Sequence, residues 1–348
     1  MVLPASGRGS LGSPRCLVNA GDALTLGVLS YSFAAAERGW TLELIRGLAN
    51  LRPHHRGCAV TVGGFDGLHL GHQVLIGRLQ NAASRLGCPT MLVSFEPMPR
   101  EYLAPQSPPS RLTTWRERWH LLKELQLDNV LLLRFGEGLR RLSGEEFAQV
   151  LARDLNAAAV VVGHDFKFGR NGEMSAAALA LGGERLGFTV DVVPPVMLDG
   201  ERVSSSGVRA ALGRGDLEHA ERWLGRPYSM IGRVVHGSHL GRELGFATAN
   251  VRLHRKLAPL GGIFAVRVKG AGRDTLPGVA SLGTRPTVGG TEPLLEAHVF
   301  DFAGDLYGRE IEVEFVAKLR EEEHFLNLDA LTRQMHIDAA QARRILEC

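Results

Sequence analysis

Between residues 58 and 193, short apolar runs alternate with longer stretches whose apolar positions recur at helical spacing. The runs are Ala59–Val62, Thr90–Phe95, Asn129–Phe135, Ala158–Val162 and Phe188–Val193; the helical stretches are Gln73–Leu86, Thr114–Leu125, Glu145–Leu155 and Ser175–Leu186. A short apolar run bounded by turn residues reads as a buried strand, and a 3.6-residue period as a helix with one face inside. Ser143 followed by Glu146 supplies a capping box for the third helix. Strand–helix alternation with short connections predicts a parallel sheet wrapped by helices. Ligands of such sheets bind beyond the carboxyl ends of the strands.

Two short helical patterns follow, Val203–Leu212 and Asp216–Leu224, and the texture then changes at Pro227. Ile231–Val235, Ile263–Val268, Pro277–Leu282, Leu294–Phe300 and Ile311–Phe315 are short, β-rich and separated by Gly, Pro and Asn turns. That pattern predicts a small antiparallel barrel, closed by an amphipathic helix over Asn327–Leu346. The expected organisation is an α/β parallel-sheet domain over 41–226 and a β-barrel domain with a C-terminal helix over 227–348. Residues 1–40 are expected to be an extension, disordered or spurious. Within it Ala23–Ala36 carries no charge and stands behind Arg8 and Arg15, faintly like a secretory signal. Gly27, Ser30 and Ser32 interrupt it, and it is too short to span a bilayer.

Composition narrows the class. A chain of 348 residues, 45% hydrophobic and 22% charged, has enough apolar material for two globular domains. A net charge of +3 gives no electrostatic reason to expect a nucleic-acid or membrane partner. Cys16, Cys58, Cys88 and Cys348 are scattered, with no Cys-x-x-Cys pair, which fits a reducing cytoplasm better than a disulfide framework or a structural zinc site.

The chemistry concentrates after the first strand, in Gly64-Phe65-Asp66-Gly67-Leu68-His69-Leu70-Gly71-His72. The order reads as strand, tight turn, helix N-terminus, where unpaired N–H groups and the helix dipole favour an anion. His69 and His72, three apart, can meet one ligand, and the glycines allow close backbone approach. A zinc reading lacks further ligands at suitable spacing, Asp66 apart. Ser204-Ser205-Ser206-Gly207-Val208-Arg209 places hydroxyls and a guanidinium at another helix start. Alone it reads as an N-cap; beside the two histidines it reads as the second jaw of a phosphate clamp.

Taken together these residues resemble the HxGH nucleotidyltransferases, which are Rossmann-like, and within them the bifunctional bacterial riboflavin kinase/FAD synthetase family. The resemblance runs from about Leu42 to the C-terminus and includes Ser94-Phe95-Glu96-Pro97-Met98-Pro99, Gly163–Gly169 and Leu224-Gly225-Arg226-Pro227-Tyr228. It implies adenylyl transfer from ATP to FMN in the first domain. His69, His72 and Arg209 would be catalytic there. Gly64, Phe65, Asp66, Gly67, Gly71, Ser204, Ser205 and Ser206 would bind ATP, and Asp165, Phe166 and Phe168 would form a loop beside flavin and ATP.

No Gly-Lys dipeptide occurs, so a Walker-type phosphate loop is excluded. The segment Gly237–Asn250 offers Gly237, Gly241 and Gly245 for phosphates, with Thr248 and Asn250 as hard oxygen donors for Mg²⁺. A Gly-rich hairpin with polar turn residues is the plainer reading. The segment is similar to the family's kinase signature, with Ala247 where proline is usual. The resemblance implies riboflavin phosphorylation by ATP, with Glu296 as general base and Arg285, Arg320 and Phe325 capping the flavin. It further implies riboflavin, FMN and ATP as partners, a cytoplasmic location, and a monomer or weak homo-oligomer.

Overall fold

The computed structural model describes residues 24–25, 41–237, 246–287 and 290–348. Six parallel strands form the first sheet: β1 (Glu43–Arg46), β2 (Ala59–Val62), β3 (Thr90–Phe95), β4 (Asn129–Leu133), β5 (Ala159–Gly163) and β6 (Thr189–Val193). Their order is β1-β4-β3-β2-β5-β6. The five runs read from the sequence are β2 to β6. The edge strand β1 was not among them, because four residues with mixed exposure carry no usable period. From β2 the chain steps outward through β3 and β4, then returns to lay β5 and β6 on the other side of β2. The segments leaving β2 and β5 therefore diverge, opening a crevice at the carboxyl ends of the strands.

Helices α1 (Leu70–Leu86) and α2 (Trp115–Glu124) cover one face, packing Leu75, Ile76, Leu79 and Leu122 on Ala59, Leu92, Val130 and Val161. Helices α3 (Gly144–Gln149) and α4 (Ala176–Leu186) cover the other, with Phe147 and Leu179 on Val60, Val62, Val93 and Val162. Neighbouring residues of one strand serve opposite layers, as the two-residue period requires. The helix expected over Glu145–Leu155 is π-helical over Val150–Asp154, with Leu151 and Leu155 both in the same core.

The barrel comprises β7 (Ser229–Val235), β8 (Ala249–Arg252), β9 (Gly262–Lys269), β10 (Leu276–Thr287), β11 (Gly290–Val299) and β12 (Glu310–Arg320). Its order is β7-β8-β11-β10-β9-β12, antiparallel throughout and closed by β7 against β12. Val251, Phe264, Leu282, Leu295, Ala297 and Phe315 fill the inside. Helices α5 (Ser205–Gly213) and α6 (Leu217–Leu224) extend that same core with Val208, Leu212, Ala220 and Trp223. Helix α7 (Leu328–Leu346) packs on the outer wall, Ala342 and Leu346 meeting Ala265 and Phe300.

Polar and apolar contacts tie sheet to barrel. Leu112, before α2, is buried in the barrel-side core, and the Tyr228 hydroxyl donates to its carbonyl at 3.0 Å. Arg255 and Glu117 are both buried and share two bonds of 2.6 Å. Glu117 also accepts from Ile231 N at 2.8 Å and Thr114 N at 2.6 Å, so the buried carboxylate is well supplied with donors. Of residues 1–40 the structure describes Leu24 and Thr25, a two-residue strand parallel to Val196–Met197.

Candidate functional site

The turn between β2 and α1 is built from left-handed residues. Phe65 (φ 51°), Gly67 (φ 82°) and Leu68 (φ 43°) all have positive φ, and two of the three are not glycine. Such a backbone persists only where its surroundings fix it. Phe65 and Leu68 are each 1% exposed and anchor the turn in the core. At Gly67 a Cβ would lie 2.7 Å from Leu112 Cδ1, so glycine is required for contact as well as φ.

Helix α1 begins at Leu70, three residues before the sequence reading, and His69 is its N-cap. The His69 Nδ1 accepts the His72 main-chain N–H at 3.4 Å, and the two rings stack with centroids 3.7 Å apart. Because Nδ1 accepts, a neutral His69 carries its proton on Nε2. Gly71 makes the stack possible: a Cβ there would lie 3.0 Å from His69 Cε1. Burial, with the nearby His72, lowers the His69 pKa well below its usual range. Burial and the Arg118 cation lower His72 to about 3. Both rings are therefore neutral donors at neutral pH.

A pH dependence of stability follows. Between pH 6.5 and 3 the unfolded histidines take up protons that the native ones refuse, so stability is present above 6.5 and declines as pH falls. For His72 the expected slope reaches about 1.4 kcal/mol per pH unit. Chemical denaturation across that window should show it, with a shallower slope once both histidines are alanine.

The start of α5 meets this turn. Ser204 is the N-cap, accepting from Gly207 N, and Ser205 Oγ donates to the Asp66 carbonyl at 3.0 Å. The two jaws expected from the sequence are thus brought together, with Ser206 exposed beside them. For two of the expected ATP-binding residues the structure shows what the side chains touch. Asp66, taken as an ATP-binding residue, spends its carboxylate on Leu112 N (3.1 Å), Thr113 N (2.9 Å) and the Arg209 guanidinium. Phe65 is buried against Gly63 and His72, so it shapes the turn from beneath. Arg209 is itself held by Asp66 and by the Ser110 carbonyl. Gly64 is different: a Cβ there would meet nothing within 4 Å, which leaves its backbone open to a ligand.

From β5 the loop carries Asp165, paired with Arg202, and Phe166, stacked on Phe168 at 5.4 Å. Phe168 turns into the core beside Phe147, so of the three only Asp165 and Phe166 have exposed surface of any size. Sequence reasoning missed Arg118. Its guanidinium is fully buried, bonded to Ser94 Oγ at 3.2 Å, with Nε and Nη2 lacking protein partners among the described residues. The signal was present: Arg118 lies three residues after Trp115 and four before Leu122, on the apolar stripe of α2, where a charge demands a reason.

A second site lies on the barrel's outer wall. Leu295, Ala297 and Val299 point inward, so Glu296 and His298 point out. In the ladder Asn250 stands directly opposite Glu296, and Glu296 opposite Ser281. Thr248, two residues before Asn250, shares its face. Gly237 gives the Asn250 side chain its room, since a Cβ would collide with the amide. Thr248, Asn250 and Glu296 line a cavity of about 1060 Å³ that α7 helps to wall, together with Arg320 and Phe325. Arg320 is fixed by the Asp338 carboxylate at 2.8 Å and lies over the Phe325 ring at 5.6 Å. His298 Nδ1 is 2.9 Å from the Ala247 carbonyl, a tether at the position where proline is usual. Gly241 and Gly245 lie outside the described residues. Of Arg285 the structure gives the main chain, paired with Glu292.

Glu43, His54 and His55 form the one group of metal-compatible side chains found among the described residues. Its hydrogen bonding has the wrong polarity for a metal. Arg52 N donates to His55 Nδ1 at 3.0 Å, leaving the proton on Nε2, 3.0 Å from Glu43. A ligating histidine donates its second N–H outward instead.

Comparison with known proteins bears on both sites. Residues 51–207 match the FAD synthetase family model and residues 224–346 the riboflavin kinase model. A curated bifunctional riboflavin kinase/FMN adenylyltransferase from Pseudomonas fluorescens is 46% identical over 306 residues, covering 87% of this chain and 98% of that protein. Its counterpart in Escherichia coli (strain K12) is 42% identical over 304 residues, covering 87% and 97%. A crystal structure named as a macrolide-efflux protein from Streptococcus pneumoniae superposes with a TM-score of 0.74 at 29% identity, covering 87% of this chain and 98% of that one.

Proposed function

The chain belongs to the bifunctional riboflavin kinase/FMN adenylyltransferase family, and on that footing we propose how its two sites divide the work. The enzyme phosphorylates riboflavin with ATP to give FMN and ADP, and joins AMP from ATP to FMN to give FAD and pyrophosphate. The kinase reaction belongs to the outer wall of the barrel, over 227–348, and adenylyl transfer to the strand ends of the sheet, over 41–226. The observation that carries this is the pairing of Asn250 with Glu296 beside Thr248 in one cavity, far in sequence from the stacked His69 and His72.

In the kinase site Glu296 is the general base. It takes the proton from the terminal ribityl hydroxyl as that oxygen attacks the γ-phosphorus of ATP. Thr248 Oγ1 and Asn250 Oδ1 are hard oxygen donors, and the recess left by Gly237 orients the amide, a set that fits Mg²⁺. Bound there, Mg²⁺ supplies positive charge to the phosphates. Gly237 carries the phosphate-facing backbone, with Gly241 and Gly245 assigned by resemblance. Arg320, held by Asp338, and Phe325 close over the flavin, with Arg285 assigned by resemblance.

In the adenylyltransferase site the FMN phosphate is already an anionic nucleophile, so no base is needed. His69 and His72 donate from their outward nitrogens to the phosphate oxygens as charge grows at the α-phosphorus. Gly64, Gly67 and Gly71 keep the backbone close, and the α1 and α5 N-termini, with Ser204, Ser205, Ser206 and Arg209, receive the triphosphate. Asp165 and Phe166 border the flavin. The partners are small molecules. We place the enzyme in the cytoplasm as a monomer or weak homo-oligomer acting on neither nucleic acid nor membranes, supported by a net charge of only +3 and scattered cysteines.

Chromatography of the flavins after incubation with riboflavin, ATP and Mg²⁺ tests the scheme. FMN is expected first and FAD after it, and chelation of Mg²⁺ should stop FMN formation. FMN formation undiminished by a chelator would remove Thr248 and Asn250 from their proposed role.

A further inference from the structure

We propose that Arg226, at the junction of the two domains, is a positioning residue for adenylyl transfer: it holds the Gly67–Leu68 turn that aims His69 and His72. Arg226 lies within the segment matching riboflavin kinase, residues 224–346. Its guanidinium is spent on the turn that follows β2 and on the end of α6. One nitrogen donates to the Gly67 carbonyl at 2.8 Å, and the other to the carbonyls of Leu68 at 3.4 Å and Leu224 at 3.3 Å. Gln73 Nε2 closes the clamp, donating to Leu68 O at 2.9 Å and Leu224 O at 2.8 Å.

The held residues are the strained ones. Gly67 and Leu68 are consecutive left-handed positions, and the next residue is His69. A left-handed leucine relaxes unless its carbonyl is fixed, and relaxation there would turn the His69 ring out of the stack. The linker is shaped for the approach: Gly225 has φ 72°, and a Cβ on it would lie 2.9 Å from Leu70 Cδ2. Three residues after Gly225, Tyr228 reaches Leu112, whose N–H binds Asp66 on the other side of the same turn. Burial brings the Arg226 pKa down to about 10, so it stays cationic at neutral pH and adds to the field that keeps His69 neutral. A lysine in its place cannot span both carbonyls, because an ammonium lacks the planar fork.

This inference rests on the assignment of His69 and His72 to adenylyl transfer. The same polypeptide carries its own folding control, since riboflavin phosphorylation reports on the barrel. In Arg226→Met, kcat for FMN to FAD should fall about 10²-fold with little change in KM, the signature of misplaced transition-state donors. Riboflavin phosphorylation by the same preparation should keep its rate. Arg226→Lys should fall between that variant and wild type, and serves alone if the methionine variant is insoluble. Wild-type kcat for FAD formation in either variant, or parallel loss of both activities, overturns the proposal. His69→Ala/His72→Ala is run beside them. If that variant still makes FAD at wild-type rate, the site assignment has failed, whatever Arg226 does.

Discussion

Glu296→Gln will stop FMN formation from riboflavin and leave the conversion of added FMN to FAD unchanged. Glutamine keeps the shape of the side chain and one acceptor, so the strand pairing with Asn250 and Ser281 survives. What it cannot do is accept the hydroxyl proton. A positioned base is worth about 10²–10⁴-fold, and a ribityl alcohol has no other acidity to draw on. Steady-state assays with each flavin as starting material separate the two reactions. Normal FMN formation by the glutamine variant would take Glu296 out of the kinase chemistry. Loss of both reactions in a folded protein would refute two independent sites.

His69→Ala with His72→Ala should give the mirror image: FMN accumulates and FAD does not form. Each lost donor to an oxyanion-like phosphate costs about 10²–10³-fold, and the stack makes the two interdependent. With His72 absent, nothing stacks on the His69 ring from the helix side; with His69 absent, α1 loses its cap. The single variants should therefore each lose nearly as much as the double, a non-additivity expected of groups that act as a unit. Additive single losses would mean that the rings act separately. Between pH 5 and 8 the wild-type rate should show no inflection from His72, whose pKa lies near 3.

Much of this architecture was legible because the sheet obeys simple periods. β2 to β6 are apolar runs bounded by turns, and Leu295 to Val299 alternate strictly, so Glu296 could be assigned to the face of His298 before any coordinates. The glycine-rich turn was legible too, since residue types with special backbone freedom announce themselves. Three kinds of feature were not. β1 and β8 are four residues each, too short for a period, and take their conformation from their neighbours. The surroundings of Asp66 and Phe65 were hidden because a motif says which residues are special, not that the Asp66 carboxylate is bonded to Leu112, Thr113 and Arg209 or that the Phe65 ring lies in the core. Partners remote in sequence were invisible: Arg226 with Gly67, Arg255 with Glu117 and Asp338 with Arg320 arise only from the chain's folding back on itself.

The placement of the cavity on the outside of the barrel wall has an evolutionary corollary. Along β11, Leu295 answers to the packed interior alone and Glu296 and His298 to the cavity, while Ala297 and Val299 are buried in the core and also border the cavity. Leu295 and Glu296, successive codons of one strand, thus answer to separate demands. Substrate preference can drift through the outward positions with no void opened in the core, and a position such as Leu295 can be repacked for a hotter or colder habitat without altering the cavity lining. A barrel that held its ligand inside would have to solve both problems with the same side chains.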